Sequence, residues 1–136
     1  MTREEMDRVV NEHFGYEAAD NLDGVLATFT DDVQHEMIGS PLGSLTGKQA
    51  IRPFYTELFG DIAGEAVKPV ARWYGEDFLV DVTEWTGEMS DGRYFGLPGK
   101  SGHVTFRLLH VFELRDGLIA RENVWSDVPT IAQQVQ

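Results

Sequence analysis

Apolar positions recur at helical spacing through the first part of the chain and alternate through its second half. Over residues 4 to 14, Met6, Val9, Val10, His13 and Phe14 share one stripe of a first helix, with His13 inside that stripe. Asp20 or Asn21 can cap a second helix with the apolar face Leu22, Val25, Leu26 and Phe29, which Asp31-Asp32 is expected to end. A short strand follows, with Val33, His35 and Met37 on one face and Gln34, Glu36 and Ile38 on the other. The segment GSPLGSLTG reads as loop, and Thr46 with Gln49 forms a capping box before a third stripe, Ile51, Phe54, Tyr55, Leu58 and Phe59. Pro53 sits inside that stripe and removes one helical hydrogen bond, so the helix either starts later than Thr46 or is kinked.

From Val67 the period changes to alternation, and turn signals at Tyr74-Gly75, Ser90-Asp91-Gly92 and Asp116-Gly117 divide the rest into four or more strands. Helices first and sheet afterwards predict an α+β fold: three N-terminal helices packed on a curved, mostly antiparallel sheet, in the order α-α-β-α-β-β-β-β. The clearest strand runs from His103 to Arg115. Its even face is Val104, Phe106, Leu108, His110, Phe112 and Leu114, apolar except for His110. Its odd face carries Leu109 and Val111, with Trp125 on the same side of the next strand, so a homodimer through the sheet is expected.

The 136 residues are one domain's worth of chain, and 42% apolar with 11% aromatic residues is a globular composition. A net charge of −12 argues against nucleic acid or an anionic membrane as partner, because phosphate neutralisation needs clustered Lys and Arg. Without cysteine there is no disulfide framework, thiolate nucleophile or Cys metal site. The opening MTREEMDRVV lacks the apolar run of a signal peptide, and no stretch approaches membrane-spanning length, so a cytoplasmic setting is expected. The four histidines show no His-x-x-x-His or HExxH spacing, so no metal is expected. No nucleophile elbow, P-loop or dinucleotide fingerprint appears either, which leaves proton transfer without a cofactor.

Four segments carry a resemblance: LDGVLATFTDDV at 22 to 33, TGKQAIRPFY at 46 to 55, GLPG at 96 to 99 and HVFELRDGLIARENVW at 110 to 125. Together they resemble the nuclear transport factor 2-like superfamily, in its SnoaL-like polyketide cyclase and ketosteroid isomerase branches. The resemblance implies a cone-shaped α+β barrel with a deep apolar pocket, no metal or cofactor, and proton transfer at carbon next to a carbonyl. It places His110 on the active-site histidine of the cyclases and Val124 where their general-base aspartate stands. On the isomerase side His13 falls on the enolate-stabilising tyrosine and Met37 on the base aspartate.

An enolising enzyme needs a base and an oxyanion donor, so other inward acids become candidates. If Phe78, Val80 and Val82 face the core, alternation turns Glu84 inward as well. On the last strand one register points Ala120, Glu122, Val124 and Ser126 inward, whereas a strict two-residue turn at Asp116-Gly117 points Arg121 and Asn123 inward. A bulge decides between them. His110 with Glu84 or Glu122 is therefore the expected catalytic pair, against the competing reading of His110 as a hydrogen-bonded core histidine. His13, His35, Met37, Tyr55, Trp85, Phe106 and Val124 are expected to contact a small hydrophobic, carbonyl- or ring-containing ligand. Trp85 and Tyr94 could form the pocket mouth or pack between subunits. A cyclase, isomerase or hydrolase is the first functional reading, and a binding module of the same fold without chemistry is the second.

Overall fold

A computed structural model describes all 136 residues. Helix α1 (Arg3–Ala18) begins in a reciprocal cap in which Thr2 accepts from the Glu5 amide and the Glu5 carboxylate accepts from the Thr2 amide. It buries Met6, Val9, Val10 and His13, the expected stripe. Helix α2 (Leu22–Ala27) is capped by Asn21, whose side chain accepts from the Gly24 amide. The two helices touch so closely that a Cβ at Gly24 would lie 2.3 Å from the Tyr16 ring.

The second helix is shorter than its stripe predicts. Thr28 caps it, and Phe29 opens strand β1 (Phe29–Met37), fully buried and paired with Ile119. Asp31 and Asp32 therefore lie within the strand, on an exposed irregular stretch between two paired segments, and do not terminate a helix. The expected loop also contains a strand, β2 (Ser44–Thr46), paired antiparallel with Gln34 to Glu36. Because Thr46 is held in that ladder, the capping box with Gln49 does not form. Helix α3 (Lys48–Asp61) starts later, after Gly47 at φ +87°, and it carries Pro53.

Strands β3 (Ile62–Tyr74), β4 (Phe78–Met89), β5 (Gly102–Arg115) and β6 (Leu118–Ser126) complete one sheet in the order β2-β1-β6-β5-β4-β3. All neighbours are antiparallel except β1 and β6, so the sheet is mixed, curved and unclosed, with β2 and β3 as its edges. β3 begins five residues before the alternation that announces it. The helices and the concave face enclose the core, as an α+β cone requires. Two short pieces lie outside the expected order: a 3-10 turn (Arg93–Phe95), which buries Tyr94 and Phe95, and helix α4 (Val128–Ala132), which buries Ile131. Tyr94 thus packs in the core with its hydroxyl on Asp61, not at a pocket mouth or subunit contact.

Two registers decide which acids face inward. In β4 the buried residues are Leu79, Asp81, Thr83, Gly87 and Met89, while Val80 and Val82 pair with Val111 and Leu109 on the outer face. The expected inward face of β4 is therefore the outward one. Its Val residues mislead because the outer face of this sheet is itself apolar. In the β5–β6 hairpin, Asp116 and Gly117 form the two-residue turn with φ of +55° and +78°, and Arg115 faces Leu118. A bulge then skips Ala120, pairing Leu114 with Ile119 and Glu113 with Arg121. That extra residue turns Glu122 and Val124 inward.

Candidate active site

Between α1, α3 and the concave sheet face lies a cavity of about 530 Å³, a size suited to a small organic molecule. Its walls are mainly apolar, with Phe14, Met37, Phe59, Trp85, Leu108 and Val124 among them. Four carboxylates line it, on Glu17, Asp20, Glu65 and Glu122, and no Lys or Arg does. An anionic ligand would therefore meet repulsion without a partner.

The polar end of the cavity is built around Glu122, almost fully buried on β6. His110 on β5, which faces Val124 across the ladder, places its Nε2 3.6 Å from Glu122 Oε2. Its ring stacks parallel on Phe112 at 5.3 Å and meets the Phe14 edge, which fixes its plane. Its Nδ1 is buried without a hydrogen-bond partner. His35 on β1, opposite Glu122 in the parallel ladder, lies 3.9 Å from Glu122 Oε1. The Tyr55 hydroxyl from α3 sits 3.4 Å from both Glu17 Oε1 and Glu122 Oε1 and 3.5 Å from His35 Nε2. These long contacts leave that hydroxyl free to turn toward a ligand.

His13 closes the cluster from behind. Its Nδ1 meets the Thr28 hydroxyl at 2.9 Å, and its Nε2 touches Glu17 and lies 3.0 Å from Glu122 Oε1. Both oxygens stand off the axis of an Nε2–H, so the attraction is between charges and is not a hydrogen bond. Burial opposes charge on this ring, but the Glu122 and Glu17 carboxylates outweigh it and push His13 up to about 10. Burial likewise favours protonated Glu122, and the surrounding imidazoles, His13 above all, overcome it and hold the carboxyl below its usual range. His35 and His110 are pushed down, chiefly by burial, and are neutral at pH 7. Tyr55 is raised, first by burial and then by the Glu122 and Glu17 charges, and stays a hydroxyl donor.

Of the residues expected at the site, His35, Met37, Tyr55, Trp85, His110, Glu122 and Val124 line the cavity. Three do not. Glu84 lies on the outer face, 3.9 Å from Arg107, because the β4 register turns it away. Phe106 is buried behind the wall against Trp85 and Phe95. His13, expected as a ligand contact, is wholly buried behind Glu17 and Glu122. Glu17 and Thr28 escaped sequence reasoning. The i,i+4 spacing of His13 and Glu17 on α1 was the signal for the first, whereas nothing local marks the second.

An apolar cavity ending in buried imidazoles and a carboxylate, on a cone of helices and curved sheet, marks an α+β protein of the nuclear transport factor 2-like type. The chain belongs to the SnoaL-like domain family, whose model matches residues 10–122. No curated protein matches it. Solved structures it resembles include a candidate polyketide cyclase from Silicibacter sp. TM1040, with 19% identity and TM-score 0.81, over 100% of this chain and 98% of that one. An LEH-like epoxide hydrolase from M. tuberculosis aligns at 19% identity and TM-score 0.74, over 95% and 87%. An NTF2-like protein from Burkholderia xenovorans LB400 aligns at 15% identity and TM-score 0.79, over 100% and 99%. At these identities the likeness is one of fold. No helix is long and apolar enough to cross a membrane.

Proposed function

We propose that the protein is a cofactor-independent proton-transfer enzyme of cyclase, isomerase or hydrolase type, acting on a neutral, hydrophobic, carbonyl- or ring-containing molecule. One observation carries the reading: His110 stands in the wall of an apolar cavity with Nε2 toward Glu122 and Nδ1 without a partner. With its proton on Nε2, the ring keeps a lone pair on the buried Nδ1, and a ligand seated against the ring gives up its carbon-bound proton there. The Glu122 carboxylate faces the imidazolium that forms, and the Tyr55 hydroxyl donates to the oxygen where charge develops. Return of the proton to a different carbon isomerises the ligand; alternatively the enolate carbon attacks a second carbonyl, closing a ring, and the oxygen of that carbonyl takes the proton back from the His110 imidazolium.

A ketone with an acidic neighbouring C–H, such as 2-tetralone, tests this in deuterated water by NMR, using protein first treated with EDTA. Wild-type protein is expected to exchange that hydrogen faster than buffer, and His110→Ala to lose at least about tenfold of the excess rate, the low side of what a positioned base contributes. Equal exchange by the two proteins would end the proposal.

A second reading, ligand binding without chemistry, is favoured by Met37 and Val124. Both line the cavity as apolar residues where the resemblance places acids. A bound ketone recovered without exchange supports it. A homodimer in the cytoplasm belongs to either reading, with Trp73, Val80, Val82, Leu109, Val111 and Trp125 of the outer sheet face covered by a second copy. Sedimentation showing only monomers of 15.3 kDa at micromolar concentration would remove the dimer.

A further inference from the structure

The polar end of the cavity holds more donor atoms than proton transfer requires. His13 Nε2, Glu17 Oε1 and Glu122 Oε1 converge within 4.8 Å, from α1 and β6. The His13 to Glu122 separation is 3.0 Å, yet neither carboxylate oxygen lies where a ring N–H would point. Donor atoms that are close but off each other's bonding axes suit ligands of a shared ion: two groups about 2.1 Å from a metal stand about 3.0 Å apart at right angles and about 3.4 Å apart in a tetrahedron.

The second ring nitrogen supports the same assignment. Thr28 uses its hydroxyl proton on the Val25 carbonyl at 2.6 Å, so its oxygen accepts from His13 Nδ1–H at 2.9 Å. An ion binding at Nε2 therefore displaces the one proton held there, and the lone pair it uncovers faces the two carboxylates. A histidine whose far nitrogen is anchored in this way is pre-set as a metal ligand. Glu17 is a quarter exposed and can draw back to admit an ion, and the Tyr55 oxygen and His35 Nε2 lie within reach of Glu122 Oε1 as further donors. Two carboxylates balance a dication. A mixed imidazole and carboxylate set suits Zn²⁺, Fe²⁺, Mn²⁺ or Co²⁺, whereas Ca²⁺ and Mg²⁺ require more oxygens.

We propose that His13, Glu17 and Glu122 form a binding site for one divalent first-row transition ion at the polar end of the cavity. Spacing rules miss it because its ligands come from a helix and a distant strand. The inference goes beyond the proton-transfer reading and stands apart from it: Glu122 holds the ion through Oε1, and Oε2 remains for His110.

Protein stripped with EDTA is titrated with Zn²⁺ by calorimetry, and with Co²⁺ while its visible absorption is followed. The expected result is one Zn²⁺ per chain at micromolar concentration or tighter, with Co²⁺ absorption showing nitrogen and oxygen ligation. Glu17→Gln, at a side chain that reaches solvent, is expected to weaken binding at least tenfold. His103→Ala, which breaks the exposed His103–Glu65 pair apart from the three proposed ligands, is expected to leave it unchanged. Absence of binding overturns the proposal, as does binding removed by His103→Ala but not by Glu17→Gln, or equal affinity for Ca²⁺. Because ketone exchange is measured on stripped protein, its result does not depend on this one: zinc binding without exchange removes the enzyme reading alone, and exchange without zinc binding removes the metal site alone.

Discussion

Two buried carboxylates, on the strands either side of β5, show what separates the proposed site from a structural ion pair. Asp81 on β4 accepts from Arg72 Nε at 2.8 Å, and the same guanidinium donates to Asp7 of α1 at 2.8 Å, where the Tyr74 hydroxyl adds a bond of 2.7 Å. Every contact is short and directed, the cation is permanent, only Asp81 Oδ1 lacks a partner, and none of the four residues lines the cavity. Glu122 is surrounded instead by three imidazoles and a phenol at 3.0 to 3.9 Å, two ring nitrogens have no hydrogen-bond partner, and the cluster opens on an apolar hollow. The first arrangement fixes α1 onto the sheet. The second keeps protons and donor atoms uncommitted beside a space for a ligand, as chemistry needs and stability does not.

The contrast can be broken from either side. Arg72→Ala leaves Asp81 as a buried charge without its cation and is expected to cost about 3–5 kcal/mol in urea unfolding. Ketone exchange per folded molecule should be unchanged. Glu122→Gln reverses the pattern, costing about 1–2 kcal/mol through its weakened charged contacts while removing most exchange. If the two substitutions destabilised equally and both spared exchange, the distinction between the clusters would fail.

Acid should expose the difference next, measured on metal-free protein. His35 and His110 have folded pKa values below their unfolded ones, so the stability they provide as neutral groups is full above about 6.5 and declines as pH falls below it. His13 runs the other way. Its raised pKa contributes fully below about 6.5, and that contribution disappears as pH climbs through about 10. Thermal unfolding is therefore expected to weaken from pH 7 to pH 5, and the double variant His35→Asn, His110→Asn to flatten that slope. An equally steep slope in the variant would assign the acid sensitivity elsewhere. The smallest effect belongs to Glu84→Gln, on the outer face beside Arg107: within about 0.5 kcal/mol in stability, with exchange unchanged.

Much of the frame was legible in the chain because burial on one face imposes a period. The α1 stripe and the even face of β5 emerge as read, including His110 as the polar member of that face. Where both faces of a strand are apolar, alternation loses its sign. Val80 and Val82 matched the expected core pattern, yet they belong to the outer face, and Glu84 followed them outward. Glu122 turned on one bulged residue, Ala120, which local sequence does not announce. The cluster as a whole was less legible, since α1, β1, α3, β5 and β6 meet there from distant parts of the chain. Only the His13–Glu17 spacing was local enough to read.

The central claim is that His110, in the cavity wall, keeps its Nδ1 unprotonated and directs its proton toward Glu122. Nitrogen-15 NMR of histidine-labelled, metal-free protein at pH 7 reports this directly, because the two ring nitrogens shift differently in each tautomer. The account predicts a neutral His110 with the proton on Nε2 and an Nδ1 signal that moves when a ketone binds. A His110 protonated on Nδ1, or an Nδ1 signal indifferent to every ketone that binds, would contradict it.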